Sequence, residues 1–167
     1  MKRKALLVVF SALLLSPFST IYSQEAGLTF SLAPGEQQMQ QLRDHATSDE
    51  GEIVNVNLLR FRDRPQYPDN RNVGNATAQE VYQRYLRGVS PLLEQAGAEV
   101  VYLGSTVEII NGPQTEGWDL VAIVRYPSAW AFLSMFTSEA YQRADIHRTA
   151  SILDSRSIMT RMRDESH

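Results

Sequence analysis

The sequence predicts an α+β fold, an antiparallel sheet with two helices on one face, in the order strand, helix, strand, strand, helix, strand. Three observations carry that prediction. The apolar run Ile53–Phe61 is followed by a capped amphipathic helix. Two more apolar runs, Ala98–Ile110 and Trp118–Tyr126, flank the turn signal Asn111-Gly112-Pro113 and so form a hairpin. Pro127-Ser128 then halts the third strand and opens a second helix, after which a last short strand closes the pattern.

The chain begins with a basic stretch, Met1-Lys2-Arg3-Lys4, then an apolar run from Ala5 to Leu15 broken only by Ser11, with small Ser23 further on. That is the pattern of a cleavable secretory leader over residues 1–23. Its apolar run is shorter than the roughly 20 residues of a spanning helix. An uncleaved anchor is the alternative. Cleavage after Ser23 implies a periplasmic or secreted protein with no stable membrane insertion. It removes three basic residues and no acidic one, leaving 13 Lys+Arg against 19 Asp+Glu, a net charge of −6. An acidic surface repels phosphate backbones, which argues against nucleic acid as a partner. In a eukaryotic secretory route, Asn75-Ala76-Thr77 would be a glycosylation sequon.

Absences narrow the chemistry further. The chain has no cysteine, which removes disulfides, thiolate nucleophiles, Fe–S clusters and zinc fingers. Its only lysines, Lys2 and Lys4, lie in the leader, so the mature chain has none for Schiff-base chemistry or a Walker-A loop. No G-x-S-x-G, G-x-G-x-x-G after a strand, H-E-x-x-H or D-x-D-x-D-G pattern occurs. No cofactor and no metal is expected.

Residues 24–50 form a weakly patterned N-terminal segment, with a short helix over Pro34 to Ala46 that places Met39 and Leu42 on one side. The main domain spans 51–163, and 164–167 is a charged tail. In the first strand Val54, Val56 and Leu58 face one way while Ile53, Asn55, Asn57, Leu59 and Phe61 face the other, so both faces are largely apolar. Residues 62–76 are a long connection rich in Pro, Arg, Asp and Asn. Thr77-Ala78-Gln79-Glu80 is a capping box. The helix it opens carries Val81, Tyr85, Val89 and Leu92 on one side, should kink at Pro91 near Gly88, and ends at Gly97. The second helix carries Ala129, Phe132, Leu133 and Phe136, breaks near Thr137-Ser138 and resumes around Tyr141. Ser157 to Met162 is the last strand.

This order is the split β-α-β, or ferredoxin-like, arrangement. Helices would cover only one face, yet two strands are apolar on both. An exposed apolar sheet is an association patch, so the expected partner is a second copy of the chain, its sheet packed face to face as a homodimer. The alternative is a monomer in which residues 24–50 fold over that face.

Particular residues also carry a resemblance. Asn57-Leu58-Leu59-Arg60-Phe61, Tyr82 with Tyr85, Pro91-Leu92-Leu93 with Gly97, Trp118-Asp119-x-Val121, Arg125-Tyr126-Pro127-Ser128, Phe132 with Met135, and His147-Arg148 are similar to the DUF1330 family over about residues 34–162. The resemblance implies the dimeric α/β-barrel fold. Wider relatives of that superfamily include cofactor-free monooxygenases, isomerases, dehydratases and haem enzymes that use the cleft between sheet and helices. No reaction carries over on fold alone.

Candidate site residues follow from side-chain chemistry. His147 is the histidine of the main domain, and it could act as general base, as a haem ligand, or simply bond locally at a helix end. Arg148 could hold a carboxylate bidentately or pair with Asp145 or Asp154. Asn55 and Asn57 share a strand face and must find partners, in a cleft or across an interface. Arg125 sits among apolar residues and needs an acidic group, from the protein or from a ligand. Tyr82 and Tyr85, with Trp118 and Tyr126, could wall an organic-ligand pocket or be plain core. Arg62, Arg64 and Arg71 could make the 62–76 loop an anion-clamping lid or leave it a solvated tether.

The first expected function is binding of a small aromatic or acidic molecule through Asn57, Tyr82, Tyr85, Arg125 and Arg148. Catalysis, if present, would be cofactor-independent, with His147 as base and Asn57 and Arg125 as anchors. The rival is a non-enzymatic interaction module whose cleft is filled by Phe132, Tyr85 and Leu93.

Overall fold

The computed structural model describes residues 24–25, 28–29, 32–48, 51–113 and 116–162; the expected leader at 1–23 and tail at 164–167 lie outside them. Two short strands, β1 (Gln24–Glu25) and β2 (Leu28–Thr29), pair with each other. Then follow α1 (Glu36–Thr47), β3 (Ile53–Phe61), α2 (Ala78–Gln95), β4 (Glu99–Ser105), β5 (Leu120–Tyr126), α3 (Ala129–Phe136), α4 (Glu139–Ser151) and β6 (Ile152–Thr160). The larger sheet has the order β4-β5-β3-β6, every neighbour antiparallel. This is the ferredoxin-like arrangement, with α1 added at its front and the second helix divided into α3 and α4.

Local chemistry sets the boundaries. The Thr77 hydroxyl accepts the Glu80 amide at 3.2 Å, while the Glu80 carboxylate accepts the Thr77 amide at 2.8 Å, so two orphan donors are satisfied at the start of α2. The helix runs on through Gly88 and Pro91 to Gln95. Gly97, at φ +66°, turns the chain out of it. The Gly97 amide donates to Glu94 O at 3.0 Å and the Ala98 amide to Leu93 O at 2.8 Å, which is the Schellman closure. Ser128 and Ser138 cap α3 and α4 by accepting the Ala131 and Tyr141 amides.

The largest differences from expectation fall at three places, beside smaller ones such as β5 starting at Leu120 instead of Trp118. β4 stops at Ser105 instead of Ile110, and Val107 and Ile110 stand almost fully exposed beyond it. The helical piece around Tyr141 is a full 13-residue helix, α4. β6 begins at Ile152, directly off α4, five residues ahead of the expected Ser157. After Ile152 and Leu153 come Asp154-Ser155-Arg156-Ser157, too polar to show a strand by hydrophobic alternation.

The pleat gives the sheet two faces. Ile53, Asn55, Asn57 and Leu59 of β3 and Ala122, Val124 and Tyr126 of β5 face the helices, and the main core joins Ile53, Val124 and Tyr126 to Met39, Val89, Leu133 and Tyr141. Val54, Val56, Leu58, Val121 and Ile123 lie on the opposite face, each partly exposed, with Tyr102 and Ile158 about half exposed. α1 packs against α3 on the helix side. Residues 32–48 therefore do not provide the cover for the opposite face that the monomer alternative requires.

Candidate functional site

Between the sheet and its helices lies a cavity of about 860 Å³, within the range usual for small-molecule sites. Its floor follows from strand register. Ala122, Asn57 and Ser157 stand side by side across β5, β3 and β6, and all three line the cavity. Side chains this short leave the space below α2 unfilled.

The floor is also polar. The Ser157 hydroxyl donates to Asn55 Oδ1 at 2.9 Å, and Asn55 Nδ2 reaches Asn57 Oδ1 at 3.4 Å. Asn57 Nδ2 has only long contacts, 3.4 Å to Asn55 O and 3.3 Å to Ala122 O. Contacts of that length are weak for N–H···O bonds. The Asn57 amide thus keeps donor capacity toward the cavity.

The walls are aromatic. Tyr82 and Tyr85 from α2, Tyr126 from β5, Phe132 and Phe136 from α3, and Tyr141 from α4 surround the space. Tyr82 and Tyr85 lie 5.3 Å apart, and Tyr85 meets Tyr141 edge to face at 6.3 Å. The Tyr85 and Tyr141 hydroxyls also hydrogen-bond to each other. Burial pushes the hydroxyl pKa upward for all four tyrosines, so they remain neutral hydrogen-bonding groups near pH 7.

At one end stands Arg148, its side chain only 13% exposed. It donates from Nη1 to Leu32 O at 2.9 Å and from Nη2 to Ser155 Oγ at 3.1 Å, and Nη1 lies 3.6 Å from Asp145 Oδ1. Burial works against its charge, but the Asp145 carboxylate together with Tyr141, Tyr85 and Tyr82 outweighs it, and the guanidinium stays protonated.

The structure thus brings Asn57, Tyr82, Tyr85 and Arg148 to one cavity and leaves Arg125 and His147 out of its lining. Arg125 follows Val124 by one residue, so the pleat turns it to the opposite face. There its guanidinium pairs with Glu99 and lies 3.8 Å from Glu52, which supplies the acidic group it needs. His147 precedes Arg148 by one residue, a rotation of about 100° around a helix. Its Nδ1 meets the Tyr67 hydroxyl at 2.6 Å. Burial, then Arg84, Arg71 and Arg87, lower its pKa. The trio of His147, Asn57 and Arg125 anticipated for catalysis is therefore not assembled.

Two other expectations are redirected. Trp118 packs beneath the Arg156 guanidinium, 5.2 Å from ring centre to Cζ, outside the cavity lining. The 62–76 loop docks along α2 and α4. The Arg62 and Gln66 amides donate to Ser151 O and Ala150 O, and buried Tyr67 packs on Val81 and Ala150. None of Arg62, Arg64 and Arg71 lines the cavity.

Sequence reasoning missed other lining residues. His45, Gln38 and Gln41 come from α1, whose weak pattern gave no reason to place them against the sheet. Ser155 and Ser157 were legible only as an alternating pair on a strand not expected to start so early. Among the described residues no three His, Cys, Asp or Glu side chains are grouped to hold a metal, and no helix is long and apolar enough to cross a membrane.

Comparison with known proteins gives the following. The profile of the family described as Domain of unknown function (DUF1330) matches residues 72–160. The crystal structure of RPA0582, a protein of unknown function from Rhodopseudomonas palustris, shares 36% identity at a TM-score of 0.69, covering 79% of this chain and 96% of that one. The methylated RPA0582 protein gives 36% identity and a TM-score of 0.71, with 81% and 96% covered. A dimeric protein of unknown function and ferredoxin-like fold from Bacteroides fragilis shares 10% identity at a TM-score of 0.45, with 66% and 96% covered. No curated protein matches the chain.

Proposed function

The chain belongs to the DUF1330 family, and from that premise we propose that it is an exported homodimer whose protomers each bind a small, partly aromatic organic molecule in the cavity. One observation carries this reading. The under-satisfied Asn57 amide lies on a floor of short side chains, facing aromatic walls, in about 860 Å³ of open space. Flat apolar surface with a few convergent polar groups is how small-molecule sites achieve both affinity and orientation.

The rival reading, an interaction module with a packed cleft, loses support because Phe132, Tyr85 and Leu93 line the space instead of filling it. The homodimer rests on the partly exposed aliphatic row of Val54, Val56, Leu58, Val121 and Ile123. Export rests on the leader pattern.

A thermal-shift panel of phenols and aromatic acids tests the binding reading. A ligand at a hundred times its Kd stabilises the fold by about 2.7 kcal/mol. Asn57→Leu should abolish most of the response to a positive compound. A panel to which the wild-type protein gives no shift at millimolar concentration contradicts the reading.

A further inference from the structure

Arg148 lines the cavity with its nearest carboxylate among the described residues 3.6 Å away, and it donates instead to a backbone carbonyl of the chain segment that covers the cavity's end. Leu32, Ala33 and Pro34 line the space and lead into α1, which supplies Gln38, Gln41, Leu42 and His45 to the same lining. Leu32 is itself buried against Leu59, Tyr82 and Ile152. The segment is thus a strap across the site. One polar tie from it to α4 is the 2.9 Å bond from Arg148 Nη1 to Leu32 O.

That fastening is weaker than the one Arg148 can make. A carboxylate accepts from a guanidinium through two parallel bonds and carries the opposite charge, whereas the Leu32 carbonyl accepts one bond and is neutral. Asp145 does not take that place. It lies 3.6 Å from Nη1, and its Oδ1 is buried without a hydrogen-bond partner. Arg156, the other guanidinium in the lining, is already held by Asp154 at 2.6 Å.

We infer that Arg148 is the receptor for a ligand carboxylate, that the Leu32 carbonyl accepts from the guanidinium where that carboxylate would bind, and that binding of the acid releases the 32–34 strap. The inference rests on the cavity reading above and adds to it the ligand class, an aromatic monocarboxylate, and a moving part. The aromatic body would lie between Tyr82, Tyr85 and the Asn57 floor, with its acid group at the α4 end.

The test compares phenylacetate with phenylacetamide, which share shape but not charge, by calorimetry on the intact protein at constant ionic strength. The acid should bind at least tenfold more tightly. Amide hydrogen exchange across α1 should quicken with the acid and stay unchanged with the amide. Arg148→Gln alone would strand the Asp145 carboxylate, so the selectivity is tested in the double variant Asp145→Asn, Arg148→Gln, where the preference should vanish. Equal binding of acid and amide overturns the carboxylate receptor and leaves the cavity reading standing. Preference for the acid with unaltered exchange overturns the strap. Binding of neither probe overturns both this inference and the cavity reading.

Discussion

The Tyr67 hydroxyl sits 2.6 Å from His147 Nδ1, so the histidine of α4 is held by the 62–76 loop and not by the cavity. Burial and the nearby Arg84, Arg71 and Arg87 lower its pKa, so the folded protein takes up this proton less readily than the unfolded chain, whose histidine titrates near 6.5. The sign follows from linkage. The neutral histidine's contribution is complete above pH 6.5 and is lost as pH falls through the lower folded value. His147→Gln should cost about 1 kcal/mol near pH 7.5 through the lost hydrogen bond. Its urea midpoint should then fall less than wild type between about pH 7.5 and pH 5. Parallel declines in the two proteins contradict the assignment.

Gly97 closes α2 at φ +66°, and a Cβ built there would lie 3.5 Å from Pro127 Cγ, an ordinary contact. Space is therefore no obstacle, and only the left-handed backbone matters. Gly97→Ala should destabilise by about 1–2 kcal/mol. Gly97→Asn should cost less, since asparagine tolerates that conformation. Urea denaturation of both variants measures the difference, and an unchanged midpoint for Gly97→Ala contradicts the strain argument.

Ile123 is paired with Val56 at the middle of the sheet face that points away from the helices. If a second copy covers that face, a carboxylate there is desolvated without a partner on association. Ile123→Glu should therefore convert a dimer to a monomer in light scattering at micromolar concentration while leaving far-ultraviolet circular dichroism unchanged. Wild-type protein that scatters as a monomer under the same conditions removes the homodimer.

The sheet order was legible because its cues are local and strong: the Thr77–Glu80 box, the Gly97 stop, the Pro127-Ser128 break and the alternation in β3 and β5. The start of β6 was not, because Asp154-Ser155-Arg156-Ser157 spends its helix-facing positions on serines that line a cavity instead of filling a core. Ser155 and Ser157 were hidden from the site for the same reason. Asn57, Tyr82, Tyr85 and Arg148 announce themselves by residue type. His147 and Arg125 announce themselves equally, yet each is separated from a cavity residue by one position, and a rotation of about 100° on a helix or the alternation of a strand sends it elsewhere. Residue type proposes a site residue, and the phase of its element decides.

Ala122 is the residue whose smallness most directly opens the cavity. It is nearly buried, stands beside Asn57 in register, and puts one methyl group where a larger side chain would reach toward α2. Ala122→Leu places three further carbons in that space. Cavity-filling changes of this kind commonly stabilise by about 0.5–2 kcal/mol, because apolar surface is buried without displacing packed neighbours. The melting temperature should therefore rise or hold, while affinity for any compound positive in the panel falls at least tenfold. The two outcomes pull apart readings that otherwise look alike. A well-packed core would answer the extra carbons with strain and a loss of about 1–3 kcal/mol. A ligand bound elsewhere on the molecule would keep its affinity. Stabilisation together with lost binding is the combination that only a functional cavity above Ala122 produces.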